Sequence, residues 1–593
     1  MQTLALPGSG RRGQRINWLR GLVVVLAATA IFLPLFLIFY QSFLTAPFFM
    51  PAKQFGLDAY HFIFDDPDFS SAAWNALYLA LGLTAIAVPL GAMLAFLMIR
   101  TDLPGKSFIA PVLLVPIFVS PMVMGFGYVV AMGPVGFYSI WAKDLLGFVP
   151  WNIYSFTSIV IIAGLTHVPH VYLYASSALK SLGSDVEEAA RVAGASPLQV
   201  MFGVSLPMIT PALAYAGVLV MFLGFEVFGL VLVLGDPEGH MVLATYLYKL
   251  TNKLGTPSYH LMAAVAVCLV MVTFPLVMLQ RWLLKSANKF VSIKGKGARS
   301  KAMPLGQWKW LAFALIFGWL MFTIIMPLSG IVLRSFVAYW GEGVHLADVL
   351  TLQHFREIFE QPSLVRGIVN TILIGVIGGA LAVICYSAIA LAMHRKPDMI
   401  SRFLDYSVLV PRAVPGLLAG LSFLWVFLFV PNWLDGMLQG VDNGVALWLS
   451  ENAIPVLRSL RSTIFALWLA YSVVWLAYGM RLISTALLQV GPELEEAARA
   501  VGASRGQVSR HVTLPLIKYG LLGAWLMVFL IFEREYSTGV YLLSPGTEVI
   551  GAMLVSLWAS GSTDLVAALS FINISLVAVG LGVALRFGVK LHN

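Results

Sequence analysis

The residues of this chain best suited to chemistry are two glutamates inside long apolar stretches. Glu226 ends the stretch FLGFE and Glu533 ends the similar stretch FLIFE. An ionisable group deep in a membrane span costs roughly 2.5 to 3.5 kcal/mol on insertion scales, so it usually faces a cavity or a partner. With Phe225 and Phe532 before them, the two carboxylates are candidates for lining a path for a cation, because hard cations prefer oxygen ligands. Alternatively, each is protonated or hydrogen-bonded within its own helical bundle and holds two helices together.

The two glutamates do not align in the register of the sequence around them. Their stretches match at an offset of 307 residues, whereas the segments on both sides match at 308, which places Glu226 opposite Arg534. A slip of one residue turns a helix by about 100°. Whether Glu226 and Glu533 are equivalent positions therefore stays open at this stage.

Histidine and cysteine residues offer no stronger site. His167 and His170 are three residues apart and share one helix face, but two histidines alone make a poor metal site, so we expect hydrogen bonds between helices. Cys268 and Cys385 lie inside apolar stretches, where we expect packing and no disulfide framework. We assign no metal ligands and no catalytic residues, and the chain is not predicted to be an enzyme.

The elements that position these residues are long apolar helices. The chain has 593 residues, of which 59% are hydrophobic and 11% charged. Spanning a bilayer takes about 20 apolar residues in a helix. The sequence predicts an all-α polytopic membrane protein with about twelve spans, at 21–40, 76–99, 108–132, 156–174, 212–234, 261–284, 310–333, 372–392, 406–429, 462–478, 520–542 and 565–585.

Basic residues set the orientation of these spans. Lys and Arg collect in cytoplasmic loops, and they precede the first span and fill the linker 291–309. The loop 44–70, by contrast, carries four aspartates and one lysine. Both termini and the linker are therefore expected in the cytoplasm. The net charge of +9 is explained by contact with the lipid bilayer, and no nucleic acid is expected as a partner.

The chain is a duplication. Residues 187–207 read EEAARVAGASPLQVMFGVSLP and residues 495–515 read EEAARAVGASRGQVSRHVTLP, with 13 of 21 positions identical at an offset of 308. Earlier residues match at an offset of 295, such as Asn75 with Asn370 and Arg100 with Arg395. We infer two six-helix halves, 1–290 and 310–593, which lie parallel and are related by a pseudo-twofold axis perpendicular to the membrane.

Each repeated block predicts a helix, a sharp turn and a second helix on the cytoplasmic side, at 184–207 and 492–515. Ser184 and Pro492 are suitable helix starts. Gly194 and Gly502 permit the positive φ that ends the first helix, and the Ala-Ser pair that follows each glycine can start the next.

The repeated block resembles the EAA loop of permease subunits in binding-protein-dependent ABC importers. Within that family, the chain is most similar to the fused iron(III), thiamine, polyamine and phosphonate branch, and to the iron(III) permeases in particular, through VLATYLYKLTNKLG and FEREYSTGVYLLSPGTEVIGAMLVSLWASG. The residues that carry the motif are Glu188, Ala189, Ala190 and Gly194, and again Glu496, Ala497, Ala498 and Gly502.

The resemblance implies a type I importer permease fold in a bacterial cytoplasmic membrane. Each block would be a coupling helix seated on one of two ATP-binding subunits, which bind the ATP and Mg²⁺, while a periplasmic binding protein delivers the solute. The chain has no ATP site of its own, because Arg100 stands where the phosphate loop ending in Gly105-Lys106-Ser107 would need glycine. Ferric iron is the expected solute, with thiamine, a polyamine or an aminoalkylphosphonate as alternatives. A secondary transporter is the alternative class.

Overall fold

The computed structural model describes residues 18–48, 50, 53–182, 185–252, 258–287, 302–395, 398–439 and 444–586. Over these ranges the backbone is helical and contains isolated bridges instead of β-strands. The basic residues before position 18, most of the basic linker and Ser184 lie outside the described residues.

Ten helices are long and apolar enough to cross a membrane, and the number rises to twelve if two bent helix pairs each count as one span. The bent pairs are Pro197–Met208 with Thr210–Glu226, at 74°, and Gly444–Leu460 with Ile464–Val474, at 68°. The ten single spans are Arg20–Ser42, Pro67–Arg100, Pro121–Leu146, Phe156–Ser181, Tyr259–Leu283, Trp308–Ser335, Pro362–Met393, Gly416–Leu438, Gly506–Arg534 and Thr563–Arg586.

The predicted third and ninth spans, 108–132 and 406–429, are wrong as continuous helices. The backbone is extended at Val119 and Ser120 in the first half and at Val414 and Pro415 in the second. The residue before a proline disfavours the helical conformation, and Ser120 and Val414 each precede one. Short helices occupy Lys106–Val112, Val115–Phe118 and Met399–Ser407, and the long helices begin only at Pro121 and Gly416.

The predicted fifth and eleventh spans, 212–234 and 520–542, end too late. Their helices stop at Glu226 and Arg534, and the next residues, Val227 and Glu535, are extended. Apolar composition continues beyond both ends, so hydropathy alone cannot detect the change of direction. Since the two ends are 308 residues apart, the structural equivalent of Glu226 is Arg534, and Glu533 lies one helical position away.

The second half contains extra residues between its third and fourth spans, and these form helices. Gly444–Leu460 returns alongside Gly416–Leu438, where Arg458 and Ser450 both bond to Asp435 at 2.8 and 2.7 Å. The predicted tenth span, 462–478, is too short at its C-terminal side, because helices Ile464–Val474 and Leu476–Leu487 follow one another on either side of Trp475.

In both halves the second span packs closely against the fourth span. The glycine at this contact lies on the second span in the first half and on the fourth span in the second half. In the first half Gly91 lies against Val171, and a Cβ at Gly91 would come within 2.6 Å of the Val171 Cβ. In the second half the glycine is on the other helix, because Gly479 lies under the ring of Tyr386. Gly91 matches Tyr386 at the 295 offset and Val171 matches Gly479 at 308, so the packing itself supports the duplication.

The first span of each half packs on the other half. Arg20, in the first span, donates to Asp398 at 2.7 Å and to Ser401 at 2.9 Å. Correspondingly, Trp308–Ser335 lies along Pro121–Met132, where Gly127 meets the backbone of Pro327. The helix begins at Trp308, so the last two residues of the predicted linker, 291–309, are helical. These exchanged helices join the halves into one bundle.

Candidate functional site

The first repeated block folds as a helix, a turn and a helix. The helix Asp185–Val192 is followed by a turn at Gly194, whose φ is +90°. The amide of Ala195 donates to the carbonyl of Ala190 at 3.0 Å, which satisfies a free helix-end carbonyl. Ser196 then forms a capping box with Gln199 and starts the next helix at Pro197. The predicted turn at Gly194 is confirmed.

The second block repeats this geometry. The helix Pro492–Ala500 begins with proline at its first position, and Gly502 has a φ of +91°. The amide of Ser504 bonds to the Gln507 side chain at 2.8 Å, which repeats the reciprocal cap of the first block. The predicted turn at Gly502 is confirmed as well. Residues 185–205 and 493–513 are hereafter called the coupling elements, after the role that the resemblance implies for them, and their end of the bundle is called the coupling face.

A buried ion pair fixes the first coupling element to its own half. The Glu187 side chain is 5% exposed, and its carboxylate lies 2.9 Å from Nε of Arg100. Ser205 donates to the same carboxylate at 2.7 Å. Arg100 also donates to the backbone carbonyls of Leu179 and Leu182, at 2.9 and 3.2 Å. One guanidinium therefore links the end of the second span, the end of the fourth span and the coupling element.

The second coupling element is fixed by the matching residues. Glu495 is buried, and its carboxylate lies 2.9 Å from Arg395 and 3.1 Å from His394 and accepts a bond from Thr513 at 2.8 Å. Burial by itself raises the pKa of Glu495, but the bonds from Thr513 and His394 and the charge of Arg395 outweigh it and hold the pKa below its usual range. Arg395 is the offset-295 match of Arg100, so both halves fix the coupling element with an equivalent arginine–glutamate contact.

The rest of each coupling element faces outward. Glu188 and Glu496 are exposed, as are Ala189 and Ala497, whereas Ala190 and Ala498 are half-buried against the bundle. Two apolar side chains beside the glycine turns are almost fully exposed, Val192 at 90% and Val501 at 86%. Each element therefore presents its motif glutamate and one valine on its accessible side.

A second group of polar residues lies between the two halves, deep in the spans. We call it the central cluster. Glu226 has Arg412, Glu535 and Arg534 as its charged neighbours. Tyr478 has Arg534, Arg481 and Arg412 around it. Of these side chains, Glu535 is buried, Arg481 is exposed and the other four are half-buried, so the accessible ones line a space between the halves. The central cluster comprises Glu226, Arg412, Tyr478, Arg481 and Arg534.

On the side away from the coupling face, this space ends at two stacked rings. Phe228 and Tyr536 are equivalent at the 308 offset, and their rings lie 6.1 Å apart at an angle of 7°. Both are buried, and the amide of Gly229 donates to the Tyr536 hydroxyl at 3.0 Å. The pseudo-twofold axis therefore passes through a closed aromatic contact.

Comparison with known proteins assigns the family. The model of the family described as "binding-protein-dependent transport system inner membrane component" matches residues 87–289 and again 378–591, together more than half of the chain. The chain belongs to this family. The double match agrees with the duplication and with the all-helical polytopic fold.

This membrane component has several curated relatives. It is 25% identical to a ferric transport system permease protein of Actinobacillus pleuropneumoniae and to a putative one of Haemophilus influenzae, over 77% and 76% of this chain. The matches span 62% and 66% of those relatives, just under two thirds of their length. It is also 28% identical to a sulfate transport system permease protein of Escherichia coli, over 46% of this chain and 92% of the relative.

In this membrane component the two glutamates of the predicted path have different surroundings. Glu226 is half-exposed and belongs to the central cluster. Glu533 is 1% exposed and accepts a bond from Asn573 of its own half at 2.6 Å. Phe225 and Phe532 are both buried, and Phe532 packs against Tyr471. Glu533 is therefore bonded within its own bundle, as the alternative describes. Glu226 instead lies in the central cluster, and its place in a path for a cation stays a prediction.

The two histidines face the central cluster without forming a metal site. His167 and His170 stack with their rings 5.5 Å apart. The expected bond between helices is wrong for His167, because its Nδ1 contacts the carbonyl of Ala163 in the same helix at 2.7 Å. Among the described residues no group of three His, Cys, Asp or Glu side chains could hold a metal ion. Cys268 is half-buried and Cys385 is exposed, and both are free thiols.

Sequence reasoning missed the roles of Glu187 and Glu495 and the arginines of the central cluster, of which it named only Arg534, as the register match of Glu226. The first two stand directly before the motif glutamates, and their partners Arg100 and Arg395 were already visible as an offset-295 pair. A repeated acid together with a repeated base was the available signal. The arginines gave no such signal, because the first half has other residue types at the matching positions.

Proposed function

We propose that this chain is the permease subunit of an ATP-driven importer, with one ATP-binding subunit seated on each coupling element. The observation that carries the proposal is the matched pair of elements, each rigidly fixed by a buried arginine–glutamate contact and each presenting its motif glutamate outward. A symmetric pair of ATP-binding subunits requires two equivalent contact sites on the permease. Because the arginine–glutamate contact holds each coupling element rigidly, a movement of the element would be transmitted to the spans that it contacts.

The two arginine–glutamate contacts connect the coupling elements to the helices that line the central space. Arg100 and Arg395 each sit at the end of a second span and reach the fourth span and the coupling element. Closure of the two ATP-binding subunits would draw the coupling elements together and carry these helix ends with them. The chain would then alternate between inward-facing and outward-facing forms, and hydrolysis would reset it.

In this proposal the described conformation would be the inward-facing form of the cycle. Arg481, which lies nearest the coupling face in the central cluster, is exposed, whereas the Phe228–Tyr536 contact closes the opposite end. With the coupling face in the cytoplasm, both described termini would also lie there. A periplasmic binding protein would dock on the opposite face and deliver the solute above the aromatic contact.

Ferric iron is the proposed solute, supported by the ferric relatives; thiamine, a polyamine or an aminoalkylphosphonate would use the same machinery. The relatives also include a sulfate permease protein, so family membership alone does not fix the charge of the cargo. Glu226 is the carboxylate that could face a cation or a metal complex in transit. Any ATP and Mg²⁺ would be bound by the partner subunits.

Disulfide or thiol-specific cross-linking tests the coupling assignment. In a background without Cys268 and Cys385, single cysteines replace Val192 or Val501, and Leu145 serves as a control because it is 84% exposed on the opposite face. We expect both coupling positions, and not position 145, to cross-link to the co-expressed ATP-binding subunit. Cross-linking through position 145, or through neither coupling position, would overturn the proposal.

A matched pair of double variants tests function. Replacing Glu188 and Glu496 together by glutamine should abolish ATP-dependent uptake while the protein still inserts and folds. The control replaces Asp185 and Glu493, exposed acids one turn earlier in the same helices, by amides and should retain uptake. Normal uptake by the first double variant, or uptake driven by a proton gradient without ATP, would contradict the assignment.

A further inference from the structure

The central cluster has an unexpected charge for a path that carries a free cation. We propose that the cleft between the halves holds its cargo through an anionic oxygen group, either a free oxyanion or the anionic ligands that wrap a ferric ion. This inference rests on the proposed transport function and narrows it to a class of cargo. It follows from where the arginines lie, what surrounds them and how the nearby acids are used.

All three arginines come from the second half. At the matching positions of the first half stand Ile117 for Arg412 and Leu173 for Arg481, and Glu226 for Arg534. Pseudo-symmetry therefore does not require these charges, and packing does not either, since the first half fills two of the positions with aliphatic side chains. The basic lining is a property that one half adds to the shared architecture.

The nearby acids leave part of this positive charge unbalanced, because only two carboxylates, Glu226 and Glu535, lie near the three guanidinium groups. The Oε1 atom of Glu535 accepts bonds from the amides and hydroxyls of Ser537 and Thr538, at 2.9 to 3.1 Å, and its Oε2 accepts from Trp475 at 2.9 Å. Both oxygens of Glu535 are thus occupied within the second half. These neutral donors hold Glu535 in place without cancelling its charge, and Glu226 is the nearby carboxylate without a hydrogen-bond partner among the described residues.

Arg412 is the member best placed to meet a ligand. It lies in the short turn Val410–Ala413 just before the ninth span, half-exposed, with its guanidinium over the ring of Phe222 at 5.5 Å. Among the described residues neither Arg412 nor Glu226 has a hydrogen-bond or ion-pair partner. Arg534, by contrast, already donates to the Ile117 carbonyl of the other half. Guanidinium groups bind carboxylate, phosphate and sulfate oxygens in paired hydrogen bonds.

The first half lines the opposite side of the cleft with imidazole and phenol groups, which can form hydrogen bonds. His167 and His170 lie near Arg534, and Tyr215 lies 3.4 Å from Arg481 through its hydroxyl. A wall of arginines facing a wall of imidazole and phenol groups provides donors from both sides. Such a space favours a cargo that presents acceptor oxygens over a bare cation, because its three guanidinium groups outnumber the two nearby carboxylates.

Equilibrium dialysis against the purified full chain in lipid nanodiscs tests this inference. The probes are radiolabelled ferric citrate, inorganic phosphate, sulfate and hexaamminecobalt(III), an inert trivalent cation. We expect at least one anionic probe to bind and hexaamminecobalt(III) not to bind. Binding of ferric citrate alone identifies a chelated metal as the cargo type, and binding of phosphate or sulfate identifies a free oxyanion. Preferential binding of hexaamminecobalt(III), or binding of no anionic probe, overturns the inference.

Arginine variants locate the site. Arg412→Gln should weaken binding of the anionic probe about tenfold or more, as expected for loss of one charge-assisted contact. Arg412→Lys keeps the charge and should lose less affinity for the anionic probe. The control Arg281→Gln removes an exposed ion pair with Asp405 at 2.6 Å and should bind the probe normally. Equal binding by Arg412→Gln and Arg281→Gln would overturn the location.

The coupling assay separates this inference from the proposed function. Cross-linking through position 192 reports the contact with the ATP-binding subunit and does not depend on the cleft. If cross-linking is normal and anion binding is absent, only the cargo class fails. If cross-linking is absent, the transport proposal fails, whatever the probes do.

Discussion

Removing the Arg100 guanidinium tests whether a buried ion pair holds the first coupling element in place. In Arg100→Met the carboxylate of Glu187 remains buried and keeps only the hydroxyl of Ser205 as a described partner. Breaking a buried pair by removing one member costs about 3 to 5 kcal/mol, because the other charge is left uncompensated. The carbonyls of Leu179 and Leu182 lose their donor as well. We therefore expect the element to detach locally while the spans stay folded.

Amide hydrogen exchange of the purified chain measures this detachment. A loss of about 3 kcal/mol corresponds to a fall in protection of roughly 100-fold for residues 185–205. Residues 495–513, which use Arg395, should keep their protection. The control Arg356→Met removes an exposed pair with Glu360, whose side chains are 81% and 61% exposed, and such pairs contribute about 0 to 1 kcal/mol.

A double variant distinguishes a charge penalty from lost packing. Arg100→Met with Glu187→Met removes both charges, and replacing a buried pair by apolar groups is often neutral or stabilising. Protection of residues 185–205 should therefore recover most of what the single variant lost. The reasoning is refuted if Arg100→Met exchanges like Arg356→Met, or if the double variant exchanges as fast as the single one.

Three further predictions follow from the same structure. Gly194→Ala should destabilise the first coupling element by about 1 to 2 kcal/mol, because φ is +90° there, whereas Gly203→Ala, in a helix with equally open surroundings, should not, as exchange or thermal unfolding would show. The depressed pKa of Glu495 adds stability above its unfolded value of about 4.3, so protection of residues 495–513 should hold from pH 7 to 5 and fall as pH drops through the lower folded-state pKa. Glu226→Gln should change uptake of the cargo and Glu533→Gln should not, and equal effects in a transport assay would contradict their different surroundings.

Part of this architecture is readable in the sequence because it depends on local chemistry. Helices of about 20 apolar residues, a glycine where φ must be positive and a Ser–Gln capping pair are each set by a few neighbouring residues. The duplication is readable because two copies can be compared with each other. The turns at Gly194 and Gly502 were predicted for these reasons and are confirmed.

The breaks in the third and ninth spans are an intermediate case. Ser120 and Val414 each precede a proline, so the local signal was present, yet proline also occurs inside intact membrane helices such as Phe156–Ser181. Neighbouring helices decide whether the freed backbone groups are satisfied without a break. The sequence alone could not distinguish the two outcomes.

The central cluster was decided by tertiary structure alone. Arg412 and Arg534 are 122 positions apart in the sequence, and Glu226 belongs to the other half. Their proximity depends on how two long bundles meet at a pseudo-twofold axis, and no local pattern encodes that meeting. The one-residue difference between Glu533 and Arg534 shows the same point, because a turn of about 100° sends one side chain into its own bundle and the other across the cleft. The sequence by itself determined where the long apolar stretches, the duplication and the two glycine turns lie, whereas tertiary contacts determined where helices break and which charges of the two halves face one another.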